Sequence, residues 1–276
     1  MASLMTKNLS IESGALAIPE PDASGVRVYK GVPYATPPLG RLRWRPPEPV
    51  APWTSVRPTD SFGAHSVQGV VWDDIDLGGT ATAEDCLYLN AWTPAAPGTS
   101  ARLPVMVWIH GGGFVVGSGA EPRYDGARLV ARGIVVVTVN HRLNALGFLA
   151  HPELTAESEH HSSGNYGLHD LVAALKWLRR NIAALGGDPD MVTIAGESAG
   201  SQAASALMAS PLAKGLFARV IGESGSMFAS PSRAPAPLKE AEAAGLDFMR
   251  RVGAHSLAEL RARPVARPAN ARRPGA

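Results

Sequence analysis

Apolar residues cluster into short runs without polar alternation at residues 105–109, 134–139 and 192–195. Runs of this kind, rich in β-branched side chains, predict strands buried on both faces, as in a parallel sheet. Between the second and third runs the apolar period changes to three and four. Leu168, Leu171, Val172, Leu175, Leu178, Ile182 and Leu185 mark one side of a predicted helix, and Lys176, Arg179, Arg180 and Asn181 are expected on the other. Gly186-Gly187 supplies the stop, since glycine accepts the left-handed conformation that ends a helix. Strand, helix and strand in that order predict a right-handed crossover and an α/β fold with a mostly parallel, doubly wound sheet.

The flanking pattern is weaker. Residues 26–29 alternate enough for an early strand, and residues 86–92 for another that ends before Pro94. Between them the Pro-rich stretch 33–52 lacks many backbone donors and is expected to wrap the surface in extended form. Residues 200–208 read as a small-residue helix stopping before Pro211, and residues 246–260 as two surface helices. Acids precede His255 at Glu223, Glu240, Glu242 and Asp247, but no further sheet strand is legible between them.

Each of the three runs leads into chemically distinctive residues. The third leads into Gly196-Glu197-Ser198-Ala199-Gly200. With 29 glycines in the chain, a Gly-x-Ser-x-Gly pattern alone discriminates little. Gly222-Glu223-Ser224-Gly225-Ser226 nearly repeats it and carries little weight, because its fifth residue is serine. Position separates the two. Ser198 falls between a strand and a helix, where a tight, strained turn exposes the hydroxyl at the sheet edge and tolerates only small neighbours. The helix N-terminus behind it favours a developing anion. The first run leads into His110-Gly111-Gly112-Gly113-Phe114. Acyl transfer passes through an oxyanion that needs preorganised donors, and side-chain-free residues let backbone N–H groups approach it. One such donor follows the nucleophile, here Ala199, and the others come from the glycine loop. A phosphate loop is the competing reading, but no Lys-Ser or Lys-Thr follows and no Gly-x-Gly-x-x-Gly spacing is present. His110 is assigned to supporting the loop rather than to proton transfer.

Composition refines the setting. The net charge of +2 is carried by five arginines from Arg261 onward, a stretch without acids; the residues ahead of it carry 21 basic against 24 acidic groups, a net of −3. That distribution excludes a nucleic-acid-binding face. No apolar run approaches the ~20 residues that span a bilayer, and residues 1–14 lack a leader pattern. Cys86 is the single cysteine, so no intrachain disulfide can form, and the expected location is the cytoplasm. No cofactor or metal is expected; the expected partner is a small-molecule ester.

The ordered motifs resemble the type B carboxylesterase family, which includes bacterial esterases and the cholinesterases. They are Gly31-Val32-Pro33-Tyr34-Ala35, Leu39-Gly40-Arg41-Leu42-Arg43-Trp44, Glu84-Asp85-Cys86-Leu87-Tyr88-Leu89-Asn90, the His110 loop, Asn140-His141-Arg142-Leu143, Gly164-Asn165-Tyr166-Gly167, Gly186-Gly187-Asp188-Pro189 and the Ser198 pentapeptide. The likeness runs from about residue 25 to residue 260. It implies the α/β-hydrolase fold, Ser198 as nucleophile, and Gly112, Gly113 and Ala199 as oxyanion donors. It also implies buried ion pairs of Arg43 with Glu84 and Arg142 with Asp170. Cys86 sits where many relatives form a disulfide, but the upstream position reads Ser66, so a free, buried thiol is expected.

One departure matters. The hydroxyl needs a base and an acid that orients it, and in this fold the order is Ser, then Asp or Glu, then His. The family's acid and histidine lie beyond where this chain stops. His255 is the sole histidine after Ser198, and its segment reads as surface helix; His110, His141 and His169 precede the nucleophile. From about Arg263 the sequence turns to Arg, Pro and Ala, unable to build a core. The expectation is therefore an incomplete hydrolase domain over residues 1–260, with the C-terminal part of the fold missing, and a disordered tail over 261–276. A truncated or frame-shifted product would carry nucleophile and oxyanion donors without the base. The competing reading is a non-catalytic relative or a dead fragment.

Overall fold

A computed structural model describes residues 8–69, 72, 75–79, 81–228 and 235–265. Two short strands, β1 (Asn8–Ile11) and β2 (Gly14–Ala17), form an antiparallel hairpin. The main sheet comprises β3 (Arg27–Pro33), β4 (Tyr88–Thr93), β5 (Leu103–Ile109), β6 (Val135–Val139), β7 (Gly187–Glu197) and β8 (Arg219–Glu223). Their spatial order is β3-β4-β6-β5-β7-β8. The β3/β4 and β4/β6 pairs are antiparallel, and the β6/β5, β5/β7 and β7/β8 pairs are parallel.

The absence of alternation in the second run has a direct cause. All five residues of β6 are buried: Val135, Val137 and Val139 join the principal core, and Val136 packs on the opposite face with Val26, Trp92 and Val130. The short helix α1 (Ala127–Val130) supplies Val130 there. After α2 (Asn144–Phe148) and α3 (Pro152–Glu157), α4 (Tyr166–Asn181) and α5 (Ala199–Ala209) cover the first face. Leu171, Leu175, Leu178, Ala203, Ala204 and Leu207 pack against Val105, Val107, Ile109 and Ile194. Helices therefore lie on both faces of a mostly parallel sheet. Each fully buried Leu, Ile or Val side chain here contributes about 1.5–3 kcal/mol.

Several expectations are corrected. Asn181 lies on the buried side of α4, where its carbonyl oxygen accepts from Glu12 N–H at 2.8 Å and its amide donates to Trp177 O at 2.9 Å. A buried polar group of this kind is tolerated because both ends are satisfied. The proline-rich stretch is not wholly superficial: after a 3₁₀ turn at Gly40–Leu42, Arg43 and Trp44 are buried. A strand is also present after Ser198, namely β8, at the sheet edge with four of its five residues exposed.

The C-terminal segment forms α6 (Leu238–Arg251) and α7 (Leu257–Ala262). Met249, Ala254, Leu257 and Leu260 close a second cluster with Trp44, Leu149, Leu154 and Tyr166. The body does not stop at residue 260. Arg261 belongs to α7 and binds Glu157 through two bonds of 2.7 and 2.8 Å, and Arg43 donates to Arg263 O at 2.8 Å. The tail expected over the rest of 261–276 lies outside the described residues from 266 onward. Among the described residues, no helix is long and apolar enough to cross a membrane.

Candidate active site

Strand β7 ends at Glu197 and α5 starts at Ala199, so a single residue makes the turn. Ser198 adopts φ 52° and ψ −116°, a conformation that costs an L-residue about 1–3 kcal/mol and persists only where the surroundings enforce it. The flanking glycines explain how the turn closes. A Cβ on Gly200 would lie 2.0 Å from Ile109 O, and one on Gly196 would lie 2.5 Å from the carbonyl carbon of Gly200. Backbone occupies the space a side chain would need. Ser198 is half-buried, and its N–H donates to Glu223 O at 2.8 Å. Among the described residues, no hydrogen bond links the Ser198 hydroxyl to a histidine.

The glycine loop leaves β5 beside this turn, because Ile109 and Gly196 are paired in register. A Cβ on Gly111 would lie 3.4 Å from Ser198 Cβ and 2.5 Å from Glu197 Oε2. The loop thus packs directly on the serine turn. Gly112 has φ 103°, and its carbonyl accepts from both Val115 and Val116 N–H. The chain curls back there, and among the described residues no hydrogen bond engages the N–H groups of Gly112, Gly113 or Ala199. Beyond the loop, Gly117 N–H donates to Gln68 Oε1 at 2.7 Å, Ser118 N–H to Glu121 at 3.0 Å and Gly119 N–H to Asn140 Oδ1 at 2.7 Å. These buried acceptors fix the returning segment. Neither Gln68 nor Glu121 stands out in the sequence, since each partner is brought in by a loop.

His110 and His141 are both 2% exposed and stack with ring centroids 4.7 Å apart. The Nδ1–H of His110 donates to Gly111 O at 2.8 Å, the tautomer that an accepting carbonyl requires. Burial pushes His110 down to about 4 and His141 well below its usual range. Both rings are neutral at neutral pH and act as packing beneath the loop. The unfolded chain titrates near 6.5, so it binds more protons than the folded chain as pH falls through that value. The stability these rings contribute is complete above about pH 6.5 and is lost as pH falls below it, for His110 towards about 4 at roughly 1.4 kcal/mol per pH unit. Thermal melts between pH 7.5 and 5 are expected to show a falling Tm, with a shallower fall in His141→Phe.

The other histidines stand elsewhere. His169 on α4 faces a cleft of about 660 Å³ that it lines with Trp44, Tyr166 and Leu212. His255 is exposed in the α6–α7 connection, where its N–H donates to Glu259. The expected ion pairs are formed. Arg142 and Asp170 are 3% and 0% exposed and meet at 2.6 Å; Arg43 and Glu84 meet at 2.6 Å. Cys86 is a free, buried thiol beside Ser66, and burial raises its pKa.

A model of the carboxylesterase family matches residues 13–254. The chain belongs to that family. It is 46% identical over 239 residues to the fumonisin B1 esterase of Sphingopyxis macrogoltabida, covering 86% of this chain and 42% of that one. It is 49% identical over 207 residues to the para-nitrobenzyl esterase of Bacillus subtilis, covering 74% and 41%. Among solved structures, a carboxylesterase of Geobacillus stearothermophilus superposes with a TM-score of 0.81 at 38% identity, over 94% of this chain and 52% of that one. The fold is that of the α/β-hydrolases, and the chain spans about two-fifths to one-half of the length of these carboxylesterases.

Proposed function

We propose that this chain carries the nucleophile and oxyanion donors of a serine carboxylesterase acting on small-molecule carboxylic esters. The observation that carries the reading is Ser198 at positive φ between β7 and α5, in contact with a glycine loop whose Gly112 and Gly113 amides are unengaged among the described residues. In this reaction the Ser198 Oγ attacks the ester carbonyl carbon and its proton passes to a base. The carbonyl oxygen takes the negative charge, facing the N–H groups of Gly112, Gly113 and Ala199. Collapse of the tetrahedral species expels the alcohol, which takes up the proton and leaves an acyl ester on Ser198. Water then releases the carboxylic acid and restores the hydroxyl. Full turnover requires an acid–histidine pair in addition to the groups placed beside Ser198, so hydrolysis by these residues alone is slow. The buried, reduced Cys86 suits a cytoplasmic setting.

Prolonged incubation with a fluorophosphonate is expected to modify Ser198, as read by peptide mass spectrometry, and Ser198→Ala is expected to abolish the adduct. A folded preparation that stays unlabelled, or labels equally in Ser198→Ala, overturns the reading. Para-nitrobenzyl esters, named for one relative, are a suitable first substrate for residual turnover.

A further inference from the structure

The near-repeat Gly222-Glu223-Ser224-Gly225 is a weak motif in the sequence, yet it lies against the Ser198 turn. Strand β8 pairs in parallel with β7, with Glu223 opposite Glu197, and Ser224 turns at φ 53° where Ser198 turns at φ 52°. The two strands differ in the elements they lead into. After Ser198 comes α5, whereas the described residues after Ser224, 225–228, form loop and bends rather than a helix. The second turn therefore lacks the helix N-terminus that favours an oxyanion, and its backbone faces the first.

Two hydrogen bonds and two close approaches join them. Ser198 N–H donates to Glu223 O at 2.8 Å. The hydroxyl of Ser201, a residue only 1% exposed in the first turn of α5, donates to Gly225 O. Gly225 itself is pressed so close that a Cβ there would lie 2.3 Å from Ser198 O, and a Cβ on Gly222 would lie 2.6 Å from Ser201 Oγ. A left-handed serine relaxes unless its surroundings hold it. The groups holding this one are the end of β8 and the Ser201 hydroxyl that ties it to α5.

We propose that Ser201 is a positioning residue, whose hydrogen bond to Gly225 clamps the end of β8 against Ser198 and keeps the serine turn in its strained conformation. The consequence for reactivity rests on Ser198 being the nucleophile; the clamp itself does not. Ser205 provides the control, because its hydroxyl donates to Ser201 O at 3.0 Å within the same helix rather than to either strand end.

The test compares Ser201→Ala, Ser201→Cys and Ser205→Ala with the parent chain by amide hydrogen exchange at Ser198 and by the rate of fluorophosphonate labelling. Loss of the clamp is expected to speed Ser198 exchange about tenfold in Ser201→Ala and to slow labelling by a similar factor. Ser205→Ala should match the parent in both. Ser201→Cys keeps the shape with a weaker donor and should fall between, which also carries the test if the alanine variant does not fold. Equal exchange in the Ser201 and Ser205 variants overturns the clamp. Faster exchange in the Ser201 variants, with no labelling in any chain, upholds the clamp and overturns the nucleophile.

Discussion

Gly200→Ala is expected to cost about 4 kcal/mol or more in stability and to abolish fluorophosphonate labelling in whatever fraction remains folded. The new Cβ would fall 2.0 Å from the carbonyl oxygen of Ile109 and 3.0 Å from that of His110. Both oxygens are backbone, at the end of the central strand β5, so neither can swing aside as a flexible side chain would. Insertion into a packed core usually costs about 1–3 kcal/mol; larger losses arise where the backbone itself must move. Relief requires α5 to shift away from β5, and that shift carries Ser198 away from Gly111. Urea denaturation and, separately, labelling of the native fraction read the two effects. Ser210→Ala, at the far end of α5, is expected to leave labelling unchanged.

Asp170→Ala is expected to destabilise the fold by about 3–5 kcal/mol, because it strands a buried guanidinium. Asp170 accepts from Arg142 N–H at 2.9 Å, from its Nε at 2.8 Å and from its Nη2 at 2.6 Å. The same Nη2 also donates to Tyr166 O at 3.4 Å. One carboxylate thus ties the exit of β6 to the first turns of α4. If the loss comes from the uncompensated charge, the double variant Arg142→Met with Asp170→Leu should recover most of it. Chemical denaturation of the two variants distinguishes this from simple loss of packing.

The parts of the structure legible in the sequence are those whose pattern is set by local surroundings. The run at 134–139 is buried on both faces in β6, while those at 105–109 and 192–195 leave Met106, Trp108 and Thr193 half-buried; all three read as strands, with β7 extending further back to Gly187 than its apolar run. The turn at Ser198 is legible because its neighbours must be small whatever packs on them. Edge strand β8 is not: Arg219, Gly222 and Glu223 make up most of it, and an edge strand with exposed residues imposes little apolar pattern. The hairpin β1–β2 has four residues per strand, too few for a period. Asn181 reads as lying on the polar side of α4 because the partner that satisfies it, Glu12 N–H, is 169 residues away. Arg261 reads as tail for the same reason, its partner Glu157 lying 104 residues away. Ser201 is similar: a serine inside a small-residue helix looks like filler until β8 supplies Gly225 O.

The decisive relation is between one hydroxyl and three amides, and a crystal structure of the phosphonylated chain measures it. The prediction is a phosphorus bonded to Ser198 Oγ, with its oxygen within about 2.7–3.1 Å of the N–H groups of Gly112, Gly113 and Ala199. A phosphonyl group attached to another residue contradicts the assignment, and so does one on Ser198 whose oxygen turns to solvent out of reach of those amides.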